Sequence, residues 1–269
     1  MHTSPLSELS RGLADLEGRP VPLERILVVV DPGAVAQPAL EKAVQVAMHF
    51  NSSLELYVDD IQQDIPESWV GDARSREYRD LMRKRAQDEL QRLAGPVRGR
   101  GLQVSATYEW QAPPQQGFGQ HAFRTRPDLV VKERHRQAPA GTSVSRTDWI
   151  LIQEVPAALL LVHSRPWNSP LRIAAAVDPG PSGYSALSER IVKTAQRLAE
   201  MPGGGLETFH VAEGDVTDGL VRLVNEHKPD VLLLGASSPH TRHAPTRGTA
   251  ARVLTQANCD VLVIKLESR

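Results

Sequence analysis

Two short basic runs carry most of the residues that could meet a ligand. Lys132, Arg134, His135 and Arg136 crowd the segment KERHRQ, and His240, Arg242, His243 and Arg247 crowd HTRHAPTR. Clustered cations attract phosphate or carboxylate groups, but the same composition suits a solvated surface loop. The first run reads better as a solvated turn. For the second, which precedes a helical pattern, an anion contact stands beside the solvated reading. His240 and His243 are three residues apart, yet no Cys, Asp or Glu accompanies them and Pro245 argues against a helix, so no metal site is expected. Cys259 is the one cysteine, which removes an internal disulfide and any cysteine-based metal cluster. Its place before an apolar run suits a buried, inert thiol. The chain has no Ser-His-Asp order, no G-x-S-x-G elbow and no Walker phosphate loop, so no catalytic residue is expected and the chain does not read as an enzyme. Trp149 and Trp167 read as packing or interdomain anchors.

The elements that would position these residues occur twice. Residues 25 to 40 read RILVVVDPGAVAQPAL and residues 172 to 187 read RIAAAVDPGPSGYSAL, identical at eight of sixteen positions after a shift of 147. Each is an apolar run, an Asp-Pro-Gly turn and a helical pattern, as expected of a buried parallel strand feeding a crossover helix. At a different shift, 102, Pro127-Asp128 and the following LVVK match Pro229-Asp230 and LLLL, and WILIQEVPAALLLV matches ARVLTQANCDVLVI. The difference between the shifts, 45 residues, is what the second copy lacks: one strand and one helix. Repetition at this scale predicts two copies of one α/β module, the second truncated. The expected division is an N-terminal extension over 1–22, a complete unit over 23–166 and a truncated unit over 170–269.

The bulk numbers leave fewer functions open. Charged residues make up 23% and the formal net charge is -1, which gives no case for nucleic acid or an anionic membrane surface as partner. No apolar run approaches the roughly 20 residues that span a bilayer. The first twenty residues lack the apolar core of a signal peptide, and a cytoplasmic location is the resulting expectation.

The opening ILVVVDPG, the EGD turn at 213 to 215 and the closing LLLGASS…RGTAARVLTQANCDVLVIK resemble the universal stress protein family. The two-copy layout, with DLVVKERH and TDWILIQEVPAALLLVHSRPW, is similar to its tandem E-type branch. The resemblance implies Rossmann-like, adenine-nucleotide alpha-hydrolase-like units with mainly parallel sheets, and a stress-response role. It also implies where a nucleotide would sit. Members that bind ATP use the aspartate ending the first strand beside the adenine, then a glycine pattern, G-2x-G-9x-G(S/T), around the phosphates. Asp178 matches that aspartate, and Gly235, Ser238, Gly248 and Thr249 match the pattern, with serine replacing its middle glycine. Glycine there lets backbone N–H groups approach phosphate oxygens. In the first copy the same alignment puts Glu133, Arg136 and Arg146 at the glycine positions, so no ATP is expected there. The second copy has lost elements that would wall in a base, so weak ATP binding at most is expected, and no cofactor. The leading expectation is a non-catalytic stress-response protein acting through protein contacts or a bound small molecule; the alternative is a nucleotide-binding sensor using the second unit. The apolar runs Ala158 to Val162 and Val261 to Ile264 are expected to pair with each other, and whole chains to form a homodimer.

Overall fold

The computed structural model describes residues 18–59, 73–109, 114–134, 148, 151–153, 155–177, 185–210, 216–236, 253–254 and 256–266. By internal contacts the chain separates into two compact units, Leu23–Glu133 and Arg134–Arg269, the latter taking Met1–Pro22 with it.

In the unit from Leu23 to Glu133 the elements alternate: β1 Arg25–Val30, α1 Pro38–Phe50, β2 Ser53–Asp59, α2 Ala73–Arg98, β3 Val104–Glu109, α3 Pro114–Thr125 and β4 Leu129–Glu133. The strands lie in the order β3-β2-β1-β4, and every pairing is parallel. β1 and β4 are nearly continuous apolar runs because helices cover both faces of a parallel sheet; Leu27, Val28, Val130 and Val131 are fully buried. Pro38 starts α1, where its missing N–H costs nothing, and Asn51 ends it in the left-handed region at φ 55°. Between β1 and α1 the predicted Asp-Pro-Gly turn is present, with Gly33 at φ 84°, a conformation open to glycine at little cost. Gln37 closes this turn: its Nε2 donates to the Asp31 carbonyl at 2.6 Å and its Oε1 accepts from the Asp31 N–H at 3.3 Å.

The other unit contains β5 Ala158–Val162, β6 Arg172–Val177, α4 Ala186–Leu198, β7 Gly205–His210, α5 Val216–His227, β8 Val231–Gly235 and β9 Asp260–Ile264. Its strand order is β5-β9-β8-β6-β7. β6, β7, β8 and β9 pair in parallel, whereas β5 pairs β9 antiparallel with Leu159 opposite Val263 and Leu161 opposite Val261. These are the two apolar runs expected to meet, and their union removes two edges that would otherwise expose unpaired backbone. The repeat counts β5 as the last strand of the first copy, while the contacts place it in the second compact unit, because its strand partner is β9.

The truncation is visible in the connections. β1, α1 and β2 correspond to β6, α4 and β7, and α3 with β4 corresponds to α5 with β8. Among the described residues nothing in the second copy matches α2 and β3. β7 therefore ends its sheet, and Gly205, Glu207, Thr208 and His210 along it are exposed.

The Pro-Asp pair has the same structural use in both copies. Asp128 Oδ2 accepts the Arg25 N–H at 2.8 Å, and Asp230 Oδ2 accepts the Arg172 N–H at 2.9 Å. Each aspartate thus satisfies the backbone where the first strand of its copy begins, a donor that the ladder leaves unpaired.

Candidate functional site

In a doubly wound sheet the ligand crevice lies beyond the carboxyl ends of the strands, where the winding reverses. In the second copy the chain passes from β6 to β7 on one side and returns to β8 on the other, so the reversal falls between β6 and β8. Gly235 ends β8, and Asp178 follows directly on β6 in the chain. The resemblance assigned both to one crevice, and the parallel pairing of β6 with β8 sets the ends of these two strands side by side. Asp178, Ser238, Gly248 and Thr249 themselves lie outside the described residues, as do His240, Arg242, His243 and Arg247.

The surroundings of Gly235 explain why no larger side chain stands there. A Cβ at this position would lie 2.6 Å from Leu187 Cδ2 and 3.2 Å from Ile191 Cδ1. The first turns of α4 press against β8 at this point, and glycine makes the approach possible. Ser185 caps α4, its Oγ accepting the Ser188 N–H at 3.2 Å. The missing side chain is thus accounted for by helix packing. On the α4 side of Gly235, helix packing therefore leaves no open space for a phosphate.

The corresponding crevice of the first copy falls between β1 and β4. Glu133 ends β4 there, a carboxylate where a phosphate would need donors. Lys132 is buried and its Nζ donates to the Glu133 carbonyl at 3.1 Å. Arg134, read from sequence as part of a solvated turn, is instead half-buried. Its guanidinium donates to the carbonyls of Leu254 and Ala257, closing a helical end that would otherwise leave acceptors unpaired. Lys265 does the same elsewhere in this unit: its Nζ donates to the Val155 carbonyl at 2.6 Å, and burial lowers its pKa to about 8. His135, Arg136, Arg146 and Trp149 lie outside the described residues.

Trp167 anchors its loop by donating Nε1–H to Asp260 Oδ2 at 2.7 Å. Cys259 is buried, and its pKa is pushed up to about 12, chiefly by that burial. This is an inert thiol at neutral pH. Among the described residues no group of three or more His, Cys, Asp or Glu could hold a metal ion, and no helix is long and apolar enough to cross a membrane.

One polar cluster escaped the sequence reading. His121 on α3 is buried, its Nε2 2.9 Å from Glu55 Oε1 on β2 and its Nδ1 3.1 Å from Glu109 Oε1 on β3. Thr107 donates to Glu55 Oε1 at 2.7 Å, Arg124 donates to Glu109, and Tyr57 packs on the imidazole with ring centroids 4.6 Å apart. Burial disfavours the charged ring, but the hydrogen bonds to Glu55 and Glu109 outweigh it and raise the His121 pKa. Burial likewise works against both carboxylates, and the His121, Thr107 and Arg124 bonds outweigh it and lower theirs. With both ring nitrogens committed to carboxylates, His121 offers no base to a substrate; it fastens α3 to the sheet. The visible signal was Glu55 in LELYV, a charge at every-other-residue spacing in a strand otherwise buried.

Comparison with known proteins fits this architecture. The model of the universal stress protein family matches residues 22–163 and again 151–265. Universal stress protein E of Escherichia coli is 24% identical over 182 residues, covering 66% of this chain and 57% of that protein. The homologue from Haemophilus influenzae is 24% identical over 189 residues, covering 66% of this chain and 60% of its own length. The chain thus spans less than two thirds of the length of these two curated relatives. Among solved structures, a functionally unknown protein from Pseudomonas aeruginosa PAO1 shares the fold with a TM-score of 0.69 at 21% identity, covering 91% of this chain and 93% of that one. A universal stress protein from Archaeoglobus fulgidus gives a TM-score of 0.65 at 12% identity, covering 90% and 98%. With two copies of the module in sequence and in fold, and two matches to one family, the chain belongs to the universal stress protein family as a tandem member of the E type.

Proposed function

We propose that this stress-response protein is non-catalytic and acts through protein contacts or a bound small molecule rather than through nucleotide turnover. The observation that carries this reading is the environment of Gly235, where Leu187 and Ile191 occupy the space beside the glycine. Glu133 at the end of β4 supports it in the first copy, since a carboxylate there opposes phosphate by like charge. A second reading, an ATP-binding sensor, draws on the topology: β6, which Asp178 follows in the chain, and β8, which Gly235 ends, flank the reversal point, where nucleotides bind in such sheets. Isothermal calorimetry separates the two. Micromolar affinity corresponds to about 8 kcal/mol, and the intact chain is expected to give no ATP heat at that strength and no phosphate release. Micromolar ATP binding that Gly248→Val abolishes would replace the first reading with the second. We further propose a cytoplasmic protein that works as a homodimer of tandem chains.

A further inference from the structure

A cleft of about 280 Å³ opens at the amino ends of β8 and β9, lined by Arg165, Asn225, Lys228, Asn258 and Cys259 with Val224 and Pro229. It lies at the opposite end of the strands from the nucleotide crevice. Two cations and two carboxamides line it, and among the described residues no carboxylate does, though Asp230 lies behind Arg165. The Arg165 guanidinium reaches Asp230 only at 3.8 Å, and that buried carboxylate is already served by Asn168 Nδ2 at 2.7 Å and the Arg172 N–H at 2.9 Å. Arg165 therefore keeps donors to offer. Lys228 makes no ion pair among the described residues, and it holds a left-handed backbone, φ 48°, at the end of α5. Its charge offsets the carbonyl end of that helix, which amounts to only about half a charge, while Asp230 offsets part of the Arg165 charge from behind the cleft. Cys259, a neutral thiol, adds no opposing charge.

The first copy supplies an internal comparison. At the shift of 102, Asn225, Lys228 and Asn258 correspond to Phe123, Arg126 and Pro156. Arg126 has the same left-handed backbone, φ 47°, so the basic helix end is common to both copies. The two carboxamides are particular to the second, and packing of the shared module does not require them.

We infer that this cleft binds an oxyanion group, phosphate or carboxylate, of a small molecule, with Arg165 and Lys228 supplying charge and Asn225 and Asn258 supplying amide donors. A guanidinium fork matches two oxygens of such a group, and an ammonium meets it as a point charge. The cleft is separate from the crevice at Gly235, so this inference and the nucleotide question can fail independently.

The test is an amide-resolved NMR titration of the full chain with sodium phosphate, and separately with sodium succinate, against sodium chloride at matched ionic strength. Saturable shifts are expected at Asn225, Lys228 and Asn258 with one or both oxyanions and not with chloride; the anion that saturates identifies the group. Arg165→Gln and Lys228→Gln, both at exposed side chains, should each weaken binding by about tenfold, the weight of one charge-assisted hydrogen bond. Arg83→Gln removes the same charge from the exposed face of α2 and should leave affinity unchanged. Shifts that fail to saturate, that chloride reproduces, or that persist undiminished in both cleft variants overturn the inference.

Discussion

His121 couples stability to pH with a sign the geometry dictates. Its pKa is raised in the folded chain, so the folded state holds the proton more tightly than the unfolded one. The resulting stabilisation is complete below the ordinary histidine value of about 6.5 and is lost as pH rises through the folded value. Glu55 and Glu109 have lowered pKa values, so their contribution is present above about 4.5 and fades as pH falls. His121→Gln is expected to destabilise the chain by about 1–3 kcal/mol at pH 6, because Glu55 and Glu109 then lose the charged ring between them and keep Thr107 and Arg124 as donors. Urea unfolding of wild type and variant at pH 6 and pH 9 measures this, and the gap should narrow at the higher pH. An equal gap at both values would mean that folding leaves the His121 pKa unchanged.

At the scale of elements, the two Pro-Asp pairs do one job under different exposure. Asp230 is fully buried and accepts from Asn168 and Arg172, whereas the Asp128 side chain keeps 11% of its exposure while accepting from Glu24 and Arg25. A buried donor left unpaired costs about 1–3 kcal/mol, and water can replace a lost partner where it has access. Asp230→Ala is therefore expected to destabilise more than Asp128→Ala, by about 1 kcal/mol or more in denaturant midpoint. Equal losses would show that water reaches both strand starts. The antiparallel β5–β9 pair is the other element-scale device, since it unites the final strands of both copies inside one chain.

Across the whole molecule, truncation leaves β7 as a sheet edge. The Gly205 N–H donates inward to the Leu171 carbonyl at 2.9 Å, so by strand alternation the backbone of Leu206 and Thr208 turns away from β6. The strand carries no Lys or Pro, the usual protections of an exposed edge. An antiparallel pairing centred on Thr208 would set that residue opposite itself across a dyad, a favourable cross-strand pair. Light scattering is expected to give twice the chain's mass at high concentration, and Thr208→Pro, which removes a ladder donor, should return the monomer. A dimer indifferent to Thr208→Pro would place the interface elsewhere.

Much of this architecture is legible in the sequence. The Asp-Pro-Gly turn at Asp31 to Gly33, the apolar runs of β1, β5, β6 and β9 and the 45-residue deficit are properties of neighbouring residues or of a repeat, and both can be read along the chain. That the final strands pair followed from their apolar edges. Tertiary structure alone decided what the side chains do with one another. His121 and Glu55 are 66 positions apart, and only the crossover through α3 and the register of β2 against β3 bring them into contact. Gly235 has Leu187 packed beside it, a neighbour that spacing along the chain does not give. Arg134 looked solvated by composition, yet it closes a helical end 120 positions away. Arg165, Lys228 and Asn258 share a cleft because β5 runs antiparallel to β9, a direction no local pattern encodes. Local sequence sets the elements through backbone preference and burial, while register and crossover, which depend on the whole packed sheet, set which side chains meet.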